Sequence, residues 1–164
     1  MTSLLKEFWS GVVSPFLFGL ERAQMAALCY RWQDGKLKVL LITSRGTGRW
    51  ILPKGWPMEG RTGAETAQQE AWEEAGVIAS HVARAPLGSY GYAKDMGEAP
   101  AVPSRVPVRA EVYAVKVQRL ADSFPEMTQR TRAWVTPVQA AGRVDEPELR
   151  TLLLGFDLAA QSPQ

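Results

Sequence analysis

Cys29 and His81 are the only cysteine and the only histidine in a chain of 164 residues. An intramolecular disulfide is thereby excluded, and with it a zinc site of Cys and His ligands or a Cys-His nucleophilic pair. So little cysteine points to a reducing compartment, and the expected location is cytoplasmic. Cys29, in the apolar run MAALCY, is expected to pack as a small hydrophobe, and His81 to lie at the surface. Charge of one sign is also scarce. The formal net charge of +2 is too mild to argue for a nucleic-acid partner, although a local basic patch would still serve an anionic small molecule. Nowhere does a hydrophobic run last long enough to span a bilayer. The nearest approach places Leu4, Leu5, Phe8, Trp9, Val12 and Val13 along one side of a helix that Ser14 and Pro15 end. Lys6 is followed at once by Glu7, and Gly11 and Pro15 interrupt the run, so it reads as neither a membrane span nor a signal peptide. Residues 1–22 are expected to form an amphipathic helix and connector, docked on the domain or on a second subunit in a homodimer. Attachment to a membrane surface fits less well, because the polar face lacks Lys and Arg.

What is present is the composition of one globular domain, 46% hydrophobic and 22% charged, and its expected limits are residues 23–158 with a short tail at 159–164. Two β-favouring segments, Gln24 to Trp32 and Leu37 to Ser44, flank Asp34-Gly35, a strong hairpin signal. RWILP reads as a short strand entering a Gly/Pro-rich loop, and Thr62-Gly63-Ala64-Glu65 has the capping-box pattern of a helix start. Gly76 stands where that helix needs a residue free to take positive φ. LGSYGYAKDMGEAPAVPSRVP reads as a flexible flap, VPVRAEVYAVKV as a long strand and TRAWV as another. Thr136 to Gln139 caps a short helix ending near Gly142, and Asp145 to Leu154 is expected to close the chain as a helix, with Asp145 and Glu148 at cap spacing. Strands and helices mixed in this order predict an α/β sandwich.

The segment PKGWPMEGRTGAETAQQEAWEEAGV carries an electrostatic problem. Glu70, Glu73 and Glu74 share one helix face, and no Lys or Arg lies between Thr62 and Ala83 to answer them. Like charges at these spacings cost about 0.2–0.5 kcal/mol per pair, and Glu73 and Glu74 in the last turn oppose the helix dipole by about 0.3–1 kcal/mol each. A solvated acidic face normally alternates with basic residues and puts its acids in the first turn. A bound cation resolves the cost, and carboxylates on a rigid element suit a hard ion such as Mg²⁺ or Mn²⁺. Ala64, Ala67, Ala71 and Ala75 form a second, small-residue face fit to pack closely on a sheet.

At these intervals the stretch resembles the Nudix box, Gx5Ex7REUxEExGU, where U is a bulky aliphatic residue. Gly55 matches the opening glycine, Glu70 the glutamate of RE, Glu73 and Glu74 the EE pair, and Gly76-Val77 the close. Arg61 stands where the family has its first glutamate, Gln69 where it has arginine, and Ala71 is smaller than usual. In the family, the glutamate and the arginine brace the loop against the helix. Both are replaced here, which avoids leaving one charge uncompensated. The expectation is that Gln69 hydrogen-bonds the loop while Arg61 turns outward, toward a phosphate. More loosely, from about Ala23 to Phe156, RWILPKGWP and TQRTRAWVTPVQA look like the branch that hydrolyses diphosphoinositol polyphosphates and diadenosine polyphosphates.

The resemblance implies a Nudix-type α/β/α sandwich with a mixed β-sheet and a loop-helix-loop catalytic motif. It also implies Mg²⁺-dependent (or Mn²⁺-dependent) hydrolysis of a pyrophosphate linkage in a nucleoside diphosphate-X or related polyphosphate, by metal-activated water. Glu70 and Glu74 are then metal ligands, and Glu73 is a third ligand or the general base, a role open also to Glu98 and Glu111. Glu65 belongs to the helix cap. Lys54 and Gly55, with Arg45, Arg49, Arg61, Arg130 and Arg132, are the candidate substrate-binding residues, and Arg22 precedes the first strand. Arg130 and Arg132 alternate to one face, as a bidentate phosphate clamp would require. Trp50 and Trp134 are expected in the core, whereas Trp56 lies in the loop. The rival reading is a catalytically impaired Nudix-fold sensor that binds a nucleotide or polyphosphate, for which Arg61 and Gln69 are the motive.

Overall fold

The computed structural model describes residues 22–97 and 104–161. The expected N-terminal helix and Glu98 lie outside the described residues. Eleven elements follow in order: β1 (Arg22–Gln33), β2 (Lys36–Thr43), β3 (Trp50–Ile51), β4 (Lys54–Gly55), α1 (Gly63–Ala75), β5 (Val77–Val82), β6 (Gly88–Asp95), β7 (Arg105–Leu120), β8 (Arg132–Val135), α2 (Pro137–Arg143) and α3 (Pro147–Gln161).

The hairpin between β1 and β2 turns at Asp34 and Gly35 with φ of 52° and 73°, both in the left-handed region that a tight primed turn demands. β1 also runs parallel to β7, from Arg22 opposite Val108 to Tyr30 opposite Lys116, so the sheet is mixed as expected. Its backbone order is β3-β2-β1-β7-β5, with β4 beside β1, β6 beside β7 and β8 beside β2. The long β7 supports two strands in succession, β6 along Arg105–Val112 and β5 along Val115–Leu120.

Helices cover both faces. On one, Ala64, Ala67, Ala71 and Ala75 of α1 lie on Ala27, Cys29, Leu40, Ile42 and Val115. On the other, Ala140 and Val144 join Leu149 and Leu153 of α3 over Leu28, Leu41, Leu52 and Tyr90. This is the α/β/α sandwich. Cys29 is fully buried, with its thiol pushed up by desolvation, and His81 is exposed on β5.

The elements depart from expectation in four places. Gly88–Asp95, read as part of a flap, is the regular strand β6: its two glycines weaken local propensity, but β7 supplies a full ladder and the core takes Tyr90. β5 and β4 were not anticipated, being short and, in β5, interrupted by Ser80 and His81. α3 begins at Pro147 instead of Asp145 and continues to Gln161. Glu148 is no cap: its carboxylate accepts from the Gly91 amide at 2.9 Å and from Arg109 at 3.0 Å.

Candidate active site

The acidic helix owes its position to its ends. Thr62 Oγ1 accepts from the Glu65 amide at 3.2 Å, and Glu65 Oε1 accepts from the Thr62 amide at 3.1 Å. Glu65 is therefore a capping residue, and the backbone hydrogen bond holds its carboxyl below the usual range. At the other end, Gly76 adopts φ 67° and its N–H reaches the carbonyls of Ala71 and Trp72.

Between these caps, two glutamates meet neighbouring residues of one short strand. β4 is pinned to β1 through Met25 opposite Gly55 and Ala26 opposite Lys54. Glu74 Oε2 accepts from the Lys54 amide at 3.1 Å. A Cβ on Gly55 would land on the carboxylate of Glu70, so only glycine admits that carboxylate against the strand. Glu73 is directed elsewhere: its Oε1 accepts from Gln69 Nε2 at 2.9 Å, while its carbonyl accepts from the Glu126 amide at 3.0 Å. Among the described residues, no three His, Cys, Asp or Glu side chains converge at metal-binding distance.

Glu74 is only 7% exposed. Arg130 Nη2 lies 3.2 Å from its second oxygen and 3.2 Å from Glu126 Oε1, and Arg130 Nη1 donates to the Thr43 carbonyl at 3.0 Å. Burial pushes the Glu74 carboxyl up to about 7, against the opposing fields of Arg130 and Lys54.

Beside Glu74 opens a cleft of about 230 Å³. Its walls are Ser44, Arg45, Thr47 and Arg49 from the loop after β2, Lys54 from β4, Tyr92, Lys94 and Asp95 from β6, and Arg130. Five cationic side chains thus face two carboxylates, a balance suited to a polyanion. Burial lowers the Lys54 ammonium to about 8 and lowers Lys94 as well. Arg45 contacts Glu126 at 3.5 Å, and Arg49 bridges Asp145 at 3.3 Å and Glu146 at 3.5 Å. Glu146 keeps its other oxygen buried with no hydrogen-bond partner.

Not every sequence candidate reaches this cleft. Arg61 does not turn outward to it: Nη1 donates to Gln69 Oε1 at 3.2 Å, in a separate hollow formed with Glu65, Gln68, Trp72 and the start of β5. Gln69 does bond the loop, as expected, through that side chain. The proposed clamp of Arg130 and Arg132 is divided, because Arg130 precedes β8 and turns to Glu74, whereas Arg132 donates to the carbonyls of Ala75 and Ala121, both at 3.0 Å. Glu111 accepts from the Tyr113 hydroxyl at 3.2 Å, on a strand two places across the sheet from Gly55. Arg22 is buried over the Trp56 ring. Trp50 and Trp134 pack partly buried against the two cores, as expected. Sequence reading missed Lys94 and Tyr92. Their signal was the alternation of Tyr90, Tyr92 and Lys94, hidden by the glycines around it.

A profile of the NUDIX domain matches residues 22–153. A protein of Arabidopsis thaliana described as Nudix hydrolase 16, mitochondrial, is 31% identical over 126 residues, covering 76% of this chain and 68% of that one. The crystal structure of the C. elegans Ap4A hydrolase superposes with a TM-score of 0.59 at 18% identity, over 86% of this chain and 99% of that one. The NUDIX domain of Shewanella oneidensis NrtR, solved with ADP ribose, gives 0.62 at 16% identity over 94% and 97% of the two chains.

Proposed function

The chain belongs to the Nudix family and is a pyrophosphohydrolase of it, and from that premise we propose that it acts through a divalent metal on a small, phosphate-rich substrate bound in the cleft beside Glu74. The observation that carries this reading is the convergence of the Glu70 and Glu74 carboxylates on Gly55 and Lys54, next to a pocket lined by five cations.

The residues present fit a hard cation. Their donors are all carboxylate oxygens, and Gly55 leaves room for Glu70 where a Cβ would fill it. Glu70 and Glu74 would hold Mg²⁺ or Mn²⁺, with Glu73 as third ligand or general base once freed from Gln69. Glu98 and Glu111 are the alternative bases. When bound, such an ion neutralises charge on phosphate oxygens and acidifies water. The chain's own part is to orient and to desolvate. Arg130 fixes Glu74, the burial of that carboxylate keeps the dielectric low around it, and Lys54, Arg45 and Arg49 supply the positive field that draws the phosphates in. Arg61 and Arg132, held outside the cleft, are assigned to bracing the helix instead.

For substrate class we favour the diadenosine polyphosphate and diphosphoinositol polyphosphate group, which the basic cleft and the likeness to the Ap4A hydrolase fold both support. No helix among the described residues is long and apolar enough to cross a membrane. The single cysteine favours a reducing, cytoplasmic setting, although the plant relative is described as mitochondrial.

A panel of such substrates with Mg²⁺ or Mn²⁺ tests the proposal, with product identification and Glu74→Gln as control. The expected result is metal-dependent turnover that Glu74→Gln largely abolishes while the fold survives. Metal-dependent ligand binding without turnover would select the sensor reading that Arg61 and Gln69 first raised.

A further inference from the structure

The cations of the cleft fall into two groups. Each of the three arginines already has a carboxylate within 3.5 Å: Arg45 has Glu126, Arg49 has Asp145 and Glu146, and Arg130 has Glu74 and Glu126. To grip a phosphate through those groups, an arginine must share or leave its partner. The two lysines differ, since among the described residues neither Lys54 nor Lys94 makes an ion pair.

Each ammonium lies against an aromatic ring instead, Lys54 Nζ 5.1 Å from the centre of Tyr92 and Lys94 Nζ 5.7 Å from the centre of Trp56. A ring face steadies a cation without accepting directional hydrogen bonds from all its N–H groups, so donors remain for an anion. Trp56 carries a second cation, the Arg22 guanidinium at 5.2 Å, whose residue is 3% exposed. That arrangement adds positive field beside Lys94. Lys54 adjoins Gly55 and gives its amide to Glu74, so it belongs to the carboxylate end of the cleft. Lys94 comes from β6, which holds neither Glu70 nor Glu74 and brings Asp95 to the cleft wall beside it.

We propose that Lys54 and Lys94 form a two-ammonium phosphate subsite in which Lys94 is the specificity-determining residue, receiving a phosphate beyond the linkage that is cleaved, with Trp56 as its positioning residue. The ligand class is a chain of three or more phosphates. The placement of the cleaved linkage rests on the hydrolase reading above, but the subsite itself is testable without turnover.

Calorimetry of the folded protein with inorganic pyrophosphate and with inorganic tripolyphosphate, each with and without Mg²⁺, gives the readout. The parent should bind tripolyphosphate more tightly, and Lys94→Met should reduce that preference by about tenfold, the loss of one charge-assisted contact. Lys94→Arg should keep most of it, Trp56→Leu should fall between, and Lys116→Met, at an exposed position of β7, should leave it unchanged. With substrates that turn over, Lys94→Met should raise KM for the longer phosphate chain more than it lowers kcat. A preference that survives Lys94→Met, or a parent that does not discriminate, overturns the subsite. If the preference behaves as expected while no substrate is hydrolysed, the subsite stands and the hydrolase reading fails. If nucleotides are hydrolysed without any preference for chain length, the reverse holds.

Discussion

Glu74 is held by two opposing influences, burial that favours its protonated form and Arg130 that favours its charge. Burial is the larger, so the carboxyl titrates near 7 in the folded protein against 4.5 in the open chain. Between those values the folded state keeps a proton that the unfolded state has lost. The stability so contributed is complete below pH 4.5 and disappears as pH climbs through about 7. Glu74→Gln should flatten that part of a melting-temperature profile recorded without metal, and an unchanged slope would contradict the assignment. On the proposed ligation of Mg²⁺ by this carboxylate, metal affinity should strengthen over the same interval. Gly55 makes an equally specific demand. Gly55→Ala would push Glu70 off the strand, with an expected loss of about 1–3 kcal/mol by denaturation and a fall in turnover on the order of 100-fold.

Helix α1 carries the site only because both of its ends are closed. Thr62→Ala removes one half of the reciprocal cap and should cost about 1 kcal/mol in urea unfolding. Activity per folded molecule should change little at saturating metal, since no proposed ligand is touched. The loop-helix brace that the family builds from an ion pair is rebuilt here as a relay, Arg61 to Gln69 to Glu73. This relay occupies the carboxylate of Glu73, and it explains why Arg61 was misplaced on sequence grounds. A charged residue in a loop has no intrinsic direction, and the neighbouring helix offered an amide oxygen nearer than any phosphate. The same reason applies to Arg132, which satisfies two carbonyls, including that of Ala75 at the helix end.

At the scale of the molecule, the cleft draws its walls from the loop after β2, from β4 and β6, and from Arg130 before β8. Leu153 of α3 is fully buried on the face opposite α1. Leu153→Ala should cost about 2–5 kcal/mol in chemical unfolding, while the residual folded protein keeps the proposed metal-dependent activity, because Leu153 packs on the sheet face opposite the helix that carries Glu70, Glu73 and Glu74. Elements with local signals were legible in the chain: the Asp34-Gly35 hairpin, the capping boxes at Thr62 and Thr136, the left-handed Gly76 and the alanine stripe all act within a few residues. The spacing of Glu70 and Glu74 likewise marked the face that meets β4, but not that Glu73 turns to Gln69. β6 was not legible, since its ladder comes from β7 and its polar, glycine-bearing pattern has little strand preference of its own. Nor could spacing reveal that Lys54 and Lys94 share a cleft while Arg130 is bound to Glu74. The sequence by itself determined the short-range features, helix, turns, caps and the periodic faces, because each depends on the backbone geometry of a few consecutive residues. Which carboxylate is buried, which cation is free to meet a ligand and which is already paired was decided by tertiary structure, because burial and pairing depend on groups that are distant along the chain and adjacent only after the sheet has formed.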